Sequence, residues 1–307
     1  MDYISLLQKE MKPAFGCTEP IALAYAAAKA ASVLDEFPNH IHARCSANII
    51  KNVKSVVIPN SGGRKGLAAA TVLGAIVGHP EGELEVLESA TDEDRKWLGT
   101  LLEANFCTVE LAEGVDNLYI EITATTDEHT AVVRIENAHT NITYVSVDGN
   151  VISETINEIK EAESSICPMT FDSIYEFAKA GDISGIIPSI KQQVEYNTAI
   201  SNEGLSNDYG ANIGRLLLLD DETPSLETKC KARAAAGSDA RMSGCPLPVV
   251  ICSGSGNQGL TVSMPIITTA EELGKTDEEL YRALVFANLL TLYVKSGIGK
   301  LSAYCGV

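Results

Sequence analysis

The chain has 307 residues, 45% of them hydrophobic and 21% charged, enough for one large core or two ordinary ones. A formal charge of -18 excludes nucleic acid and anionic membrane surfaces as partners, since both require clustered Lys and Arg. The opening "MDYISLLQKEMK" lacks an apolar leader core, and the longest apolar run, Gly66–Gly78, is too short to span a bilayer, so a cytoplasmic location is expected.

In chain order, "YISLLQKEM" (Tyr3–Met11) has the apolar spacing of a short helix that stops before Pro13. Thr18 reads as the N-cap of a second helix, with Glu19 and Pro20 in its first turn and an Ala-rich, buried body running to about Leu34. Alternating Ile41, Ala43, Cys45, Ala47 and Ile49 predict one half-buried strand. "PNSGGRKG" is a turn and "LAAATVLGAIVG" a buried helix of small residues, followed by the helix "DEDRKWLGTLLEAN". Four segments, "CTVELAEG", "NLYIEITATT", "TAVVRIENA" and "ITYVSVDGN", predict an antiparallel four-stranded meander. Beyond Asn157 the signals are almost wholly helical, and Thr276 with Glu279 forms a capping box. The fold class is therefore α+β: a mixed part over 1–156, then a mainly helical part over 157–307.

Eight cysteines in a reducing compartment are thiols or metal ligands rather than a disulfide framework, and no C-x-x-C spacing is present. Cys45 and Cys107 read as small core residues, and Cys167 and Cys230 have no partners at ligand spacing. Cys17 stands before a helix N-terminus, where unpaired N–H groups and the helix dipole stabilise a thiolate, and beside a glycine that lets another group approach the backbone. Two readings of it stand: a core residue packed beneath the helix, or an activated thiol. Cys252 lies in "PVVICSGSGNQGL", whose glycines and serines lead into a helix with Asn257 and Gln258, either an anion cradle or a plain loop. The turn Asn60, Ser61, Gly62, Gly63 could likewise hold a carboxylate on its N–H groups, or be only a strand-to-helix connection. Cys305 sits in "GKLSAYCGV", an apolar small-residue segment in which the chain stops at Val307, and the stop is expected to cut an element rather than follow it.

Taken together, "PAFGCTEPIALA", "SANIIKNV", "IPNSGGRKGLAAA", "GSDARMSGCPLPVV", "SGSGNQGL" and "GKLSAYCG" resemble the L-cysteine desulfidase family, a single-chain relative of the iron–sulfur L-serine dehydratase alpha chain. The resemblance runs from Pro13 to the last residue and implies a PLP-independent lyase with a 4Fe–4S cluster on three cysteines, one iron being open to substrate. It implies Cys252 and Cys305 as two ligands and Cys17 as the residue acting on substrate, with a third ligand expected beyond Cys305. The implied reactions are β-eliminations: L-cysteine to pyruvate, ammonia and hydrogen sulfide, or L-serine to pyruvate and ammonia. Asn60, Ser61, Gly62, Gly63, Asn257 and Gln258 are the candidate substrate-binding residues. The expected partner is a small amino acid, in a chain that could assemble as a homo-oligomer.

Two other readings compete. "SGSGNQG" is similar to the Ser-x-Gly-Asn loop of PLP-dependent dehydratases, but a Schiff-base lysine context and a separate phosphate loop are missing from the sequence. A cluster-less amino-acid-binding or assembly protein is the non-catalytic alternative.

Overall fold

The structure, a computed structural model, describes residues 2–34, 36–155, 169–219 and 222–297. The chain begins with α1 (Tyr3–Glu10), β1 (Pro13–Phe15), α2 (Thr18–Ser32), β2 (His40–Cys45), α3 (Ala47–Val53), α4 (Leu67–Val77) and α5 (Asp92–Glu103). Five strands follow: β3 (Cys107–Leu111), β4 (Tyr119–Thr125), β5 (Thr130–Glu136), β6 (Ile142–Val147) and β7 (Asn150–Glu154). After them come α6 (Phe171–Ala180), α7 (Ile187–Ser206), α8 (Ile213–Leu219), α9 (Leu226–Met242), β8 (Pro248–Val250), α10 (Gly256–Glu272) and α11 (Asp277–Ser296). Among the described residues no helix is long and apolar enough to cross a membrane.

The chain divides into two compact units, Phe15–Lys160 and Met1–Ala14 with Glu161–Val307. Residues 1–14, which the sequence reading grouped with the N-terminal part, thus belong with the C-terminal elements. The Tyr3 hydroxyl lies 2.7 Å from Ser173 Oγ on α6, and its ring is 5.0 Å from that of Phe177.

The unit Phe15–Lys160 is built on a six-stranded mixed sheet in the order β3-β2-β4-β5-β6-β7. β2 and β3 run parallel, and every other neighbouring pair is antiparallel. Three of the four expected strands, β4, β5 and β6, form an antiparallel meander, which β7, a strand the sequence reading does not contain, extends. The segment read as its first strand, β3, instead lies at the sheet edge beside β2. Its apolar side chains do not all enter the core: Val109 is 40% and Leu111 45% exposed. Cys107 is accordingly half-buried rather than a core residue.

The strand expected over Ile41 to Ile49 also ends early. Ile41, Ala43 and Cys45 are buried on one face of β2 as the alternation required, but Ser46 then caps α3, its hydroxyl accepting from the Ile49 N–H. Ala47 and Ile49 are therefore helical, and Ile49 is buried from a helix. The Ala-rich α2 packs on α4 and across β4 and β5. Small side chains make that approach feasible: a Cβ on Gly74 of α4 would lie 2.2 Å from the carbonyl oxygen of Ala24. On the other face of the sheet, the Glu121 carboxylate accepts from Arg44 Nη1 and Arg134 Nη2, each at 2.8 Å, and from the Tyr119 hydroxyl at 2.9 Å.

In the other unit α7, α9 and α10 pack on one another, and the short β8 pairs with β1. β8 is clamped by Asn197 of α7. Its Oδ1 accepts from the Val250 N–H at 2.9 Å, while its Nδ2 donates to Ser263 Oγ of α10 at 2.9 Å. A second buried pair joins α7 to α11: Gln193 and Asn288 exchange two side-chain hydrogen bonds, at 3.2 and 2.9 Å. With satisfied partners such buried polar groups fix one packing arrangement.

Candidate functional site

The most polar buried cluster among the candidate residues lies at the start of α2. Cys17, not Thr18, is the N-cap residue, with extended backbone (φ -75°, ψ 132°), and it is 5% exposed. That conformation turns the thiol back over the first helical turn, where Sγ donates to Glu19 Oε2 at 3.1 Å. The Thr18 hydroxyl donates to the same oxygen at 3.2 Å. The other oxygen, Oε1, accepts from Asn52 Nδ2 of α3 at 3.2 Å and lies 4.0 Å from His139 Nε2, in the turn between β5 and β6. Both Glu19 and His139 side chains are largely buried, at 13% and 10% exposed. The cluster thus gathers a thiol, a carboxylate and an imidazole beside the positive end of a 15-residue helix. The Cys17 sulfur is buried, and it lies against polar groups.

Gly16 brings the candidate turn to this cluster. Its φ is +73°, and a Cβ there would lie 2.0 Å from Pro59 Cγ, so only glycine admits the Pro59 ring against the Cys17 backbone. Beyond Pro59 the turn is closed by its own side chains. The Ser61 hydroxyl donates to the Ile58 carbonyl at 2.7 Å and accepts from the Arg64 N–H at 2.9 Å. Asn60 Nδ2 donates to the carbonyls of Leu87 and Glu88, and the Asn60 carbonyl accepts from Arg95 Nε at 2.8 Å. Asn60 and Ser61 therefore hold the turn in shape. Gly62 and Gly63, both with positive φ, are its exposed part.

In the other unit, Cys252 opens a two-residue turn. Its N–H donates to the Ser255 carbonyl at 3.1 Å and its carbonyl accepts from the Ser255 N–H at 3.2 Å. Both central residues have positive φ, +51° at Ser253 and +77° at Gly254, as a primed hairpin turn requires. A serine in that region is uncommon and is held by its surroundings, being 1% exposed. Ser255 then caps α10, its hydroxyl accepting from the Gln258 N–H. The Oδ1 of Asn257 accepts from Arg241 Nη1 at 2.9 Å, which ties it to α9. Arg241 was passed over in the sequence reading, although it stands inside the quoted "GSDARMSGC".

Cys252 is fully buried, and burial pushes its thiol up to about 12. The Glu10 charge adds to that shift and Lys295 opposes it. A 4Fe–4S cluster needs several thiolate donors at one place. Among the described residues no three His, Cys, Asp or Glu side chains are grouped to hold a metal, and Cys305, like Cys167, lies outside those residues. The described side chains do not compose a cluster cradle. Of the cysteines given no role, Cys45 is fully buried, and Cys230 donates to the Pro265 carbonyl at 3.4 Å.

Comparison with known proteins adds a family. The family model described as the serine dehydratase alpha chain matches residues 81–307. A protein of Finegoldia magna named UPF0597 protein is 47% identical over 309 residues, covering 100% of this chain and 73% of its own length. UPF0597 proteins of Lachnoclostridium phytofermentans and Treponema denticola are 44% and 38% identical, each over 99% of this chain and over 73% and 72% of the relative. No solved structure matches. The chain belongs to the serine dehydratase alpha chain family.

Proposed function

We propose that this serine dehydratase alpha chain family member is a lyase that eliminates the β-substituent of a small amino acid. The substrates we assign are L-cysteine, giving pyruvate, ammonia and hydrogen sulfide, and L-serine, giving pyruvate and ammonia. The observation that carries the reading is the Cys17 thiol donating to the Glu19 carboxylate at a buried helix N-terminus. β-Elimination requires a base for the α-proton and an acid for the leaving group, and a thiol–carboxylate pair that shares one proton supplies both.

The cycle closes on that pair. Transfer of the thiol proton to Glu19 Oε2 leaves a thiolate, which the N-terminus of α2 stabilises. The thiolate takes the α-proton; the Cα–Cβ double bond forms as the Cβ–S or Cβ–O bond breaks. The Glu19 acid then protonates the departing sulfide or hydroxide, restoring thiol and carboxylate. The released aminoacrylate tautomerises to an imine, which takes up water to give pyruvate and ammonia. Asn52 holds Glu19 Oε1, which keeps Oε2 turned to the sulfur.

The test is pyruvate formation by the full chain, prepared without oxygen, from L-serine and L-cysteine. Replacing Cys17 by Ala or Glu19 by Gln is expected to lower kcat by about 10²- to 10⁴-fold, the usual contribution of a proton-transferring side chain. A Cys17→Ala protein that turns over at the wild-type rate would remove the proposed base and with it this reading.

A further inference from the structure

Alternation along β2 buries Ile41, Ala43 and Cys45 and leaves His40, His42 and Arg44 on the opposite face of the sheet. Two residues apart on a strand, the Cα atoms of His40 and His42 are about 6.6 Å apart, close enough for two imidazoles to meet. The rings do converge, and on one oxygen. His40 Nε2 lies 3.1 Å and His42 Nδ1 2.9 Å from the hydroxyl of Thr108, which the parallel register of β3 sets beside His42. A hydroxyl carries one proton, so it donates to only one of the two nitrogens.

The far side of His42 is set by Glu110, whose Oε2 lies 3.2 Å from His42 Nε2. A carboxylate there draws the ring proton to Nε2 and leaves Nδ1 with a lone pair, directed to the place where His40 Nε2 also arrives. β2 is hydrogen-bonded on both sides, to β3 and to β4, so the backbone that carries both rings is fixed in advance. The neighbouring cation, Arg44, is already met by carboxylates: its Nη1 is 2.8 Å from Glu121 Oε1 and its Nε 3.9 Å from Glu110 Oε1. Both histidines are half-buried rather than enclosed, so a small ion from solution reaches them.

We propose that His40 Nε2 and His42 Nδ1 chelate one divalent ion of the nickel, copper and zinc class, with Glu110 holding His42 in the binding tautomer. Imidazole nitrogen favours these ions over magnesium and calcium, which take oxygen ligands. Among the described residues no third His, Cys, Asp or Glu joins the two rings, so the ion keeps water in its remaining positions. It takes the place of the Thr108 hydroxyl between the rings. Neither histidine belongs to the cluster around Cys17, and the proposal stands whether or not the chain is a lyase.

Equilibrium dialysis of the full chain, prepared without oxygen, against Ni²⁺, Mn²⁺ and Mg²⁺ reads the site directly. Ni²⁺ is expected to bind more tightly than Mn²⁺, with Mg²⁺ the weakest of the three. Glu110→Gln should weaken Ni²⁺ by about tenfold, the lower end for loss of a ligand's carboxylate partner, because the Glu110 side chain is 59% exposed. His40→Ala and His42→Ala each remove a ligand and should weaken Ni²⁺ further than that. His129→Ala, which takes an exposed histidine from the turn between β4 and β5, should leave the affinity unchanged. Wild-type affinity in His40→Ala or in His42→Ala, or a loss in His129→Ala, would overturn the site. So would a thiolate-to-nickel absorption band in the first equivalent bound, which would put the ion on a cysteine. Glu110→Gln decides even where a histidine variant fails to fold, since undiminished affinity there would also overturn the proposal.

Discussion

The contact between Gly16 and Pro59 can be tested against an internal control. Replacing Gly16 by Ala places a methyl group 2.0 Å from Pro59 Cγ, inside bonding-radius overlap, and keeps a backbone at φ +73° that an L side chain disfavours. Holding alanine in the left-handed region costs about 1 kcal/mol, and overpacking a closed site adds about 1–3 kcal/mol. The Pro59 ring cannot rotate away, because Asn60 and Ser61 lock the turn behind it. Gly63→Ala carries the same backbone penalty at φ +84° but meets nothing within 4 Å. It should cost about 1 kcal/mol, so the gap between the variants isolates the steric part, about 1–3 kcal/mol. The single tryptophan, Trp97 on α5, lies in the same unit, and its fluorescence during urea unfolding reports that unit alone. Equal midpoints for the two variants at equal slope would refute the close approach. Pyruvate formation should fall in Gly16→Ala, where the Cys17 backbone is displaced.

Three other outcomes follow from the described contacts. Burial raises the Glu121 carboxyl, but the bonds from Arg134, Tyr119 and Arg44 outweigh it, so its pKa lies below the usual carboxylate value. Its stabilisation is thus present at neutral pH and lost as pH falls below the ordinary carboxylate value and through its own lower one. Glu121→Gln should cost about 1.5–3 kcal/mol at neutral pH and flatten that acid loss, and an unchanged acid profile would show that the network is not coupled to folding. Burial holds the thiols of Cys45 and Cys107 up at about 12, so iodoacetamide at mildly alkaline pH should label Cys230 well before either, as peptide mass mapping would reveal. Early labelling of Cys45 would mean that the sheet opens. Asn288→Leu strands both ends of the Gln193 amide and should destabilise by about 2–4 kcal/mol; adding Gln193→Leu should recover part of that loss. Strict additivity of the two changes would rule out the coupling.

How much of the fold the sequence discloses depends on whether the signal is local. The capping box of Thr276 and Glu279 sets the start of α11 at Asp277, as expected, because both bonds close within one turn. The small-residue runs of α2 and α4 become buried helices for an equally local reason. Strand partnership has no such basis. The alternation of Ile41, Ala43 and Cys45 correctly names a buried face, but nothing in it says that β2 inserts between β3 and β4. Ala47 and Ile49 keep the strand's parity by coincidence, since a capping serine had already ended the strand. Val109 and Leu111 alternate as core residues do, yet among the described residues β3 is an edge strand.

The site is legible to the same degree and fails for the same reason. Both glycine motifs mark positions where something comes close to the backbone, and it does; in each case the visitor is a side chain of the protein. Gly16 admits Pro59 and Gly256 admits Arg241. Glu19 read as a first-turn acid that suits the helix dipole; it becomes the partner of Cys17 only because the N-cap backbone is extended and turns the thiol toward it. Arg241 lies on a different helix from Gly256, and no spacing rule joins them. Their contact shows only in the fold: a buried Nε packed on a glycine that no other residue could replace without striking it.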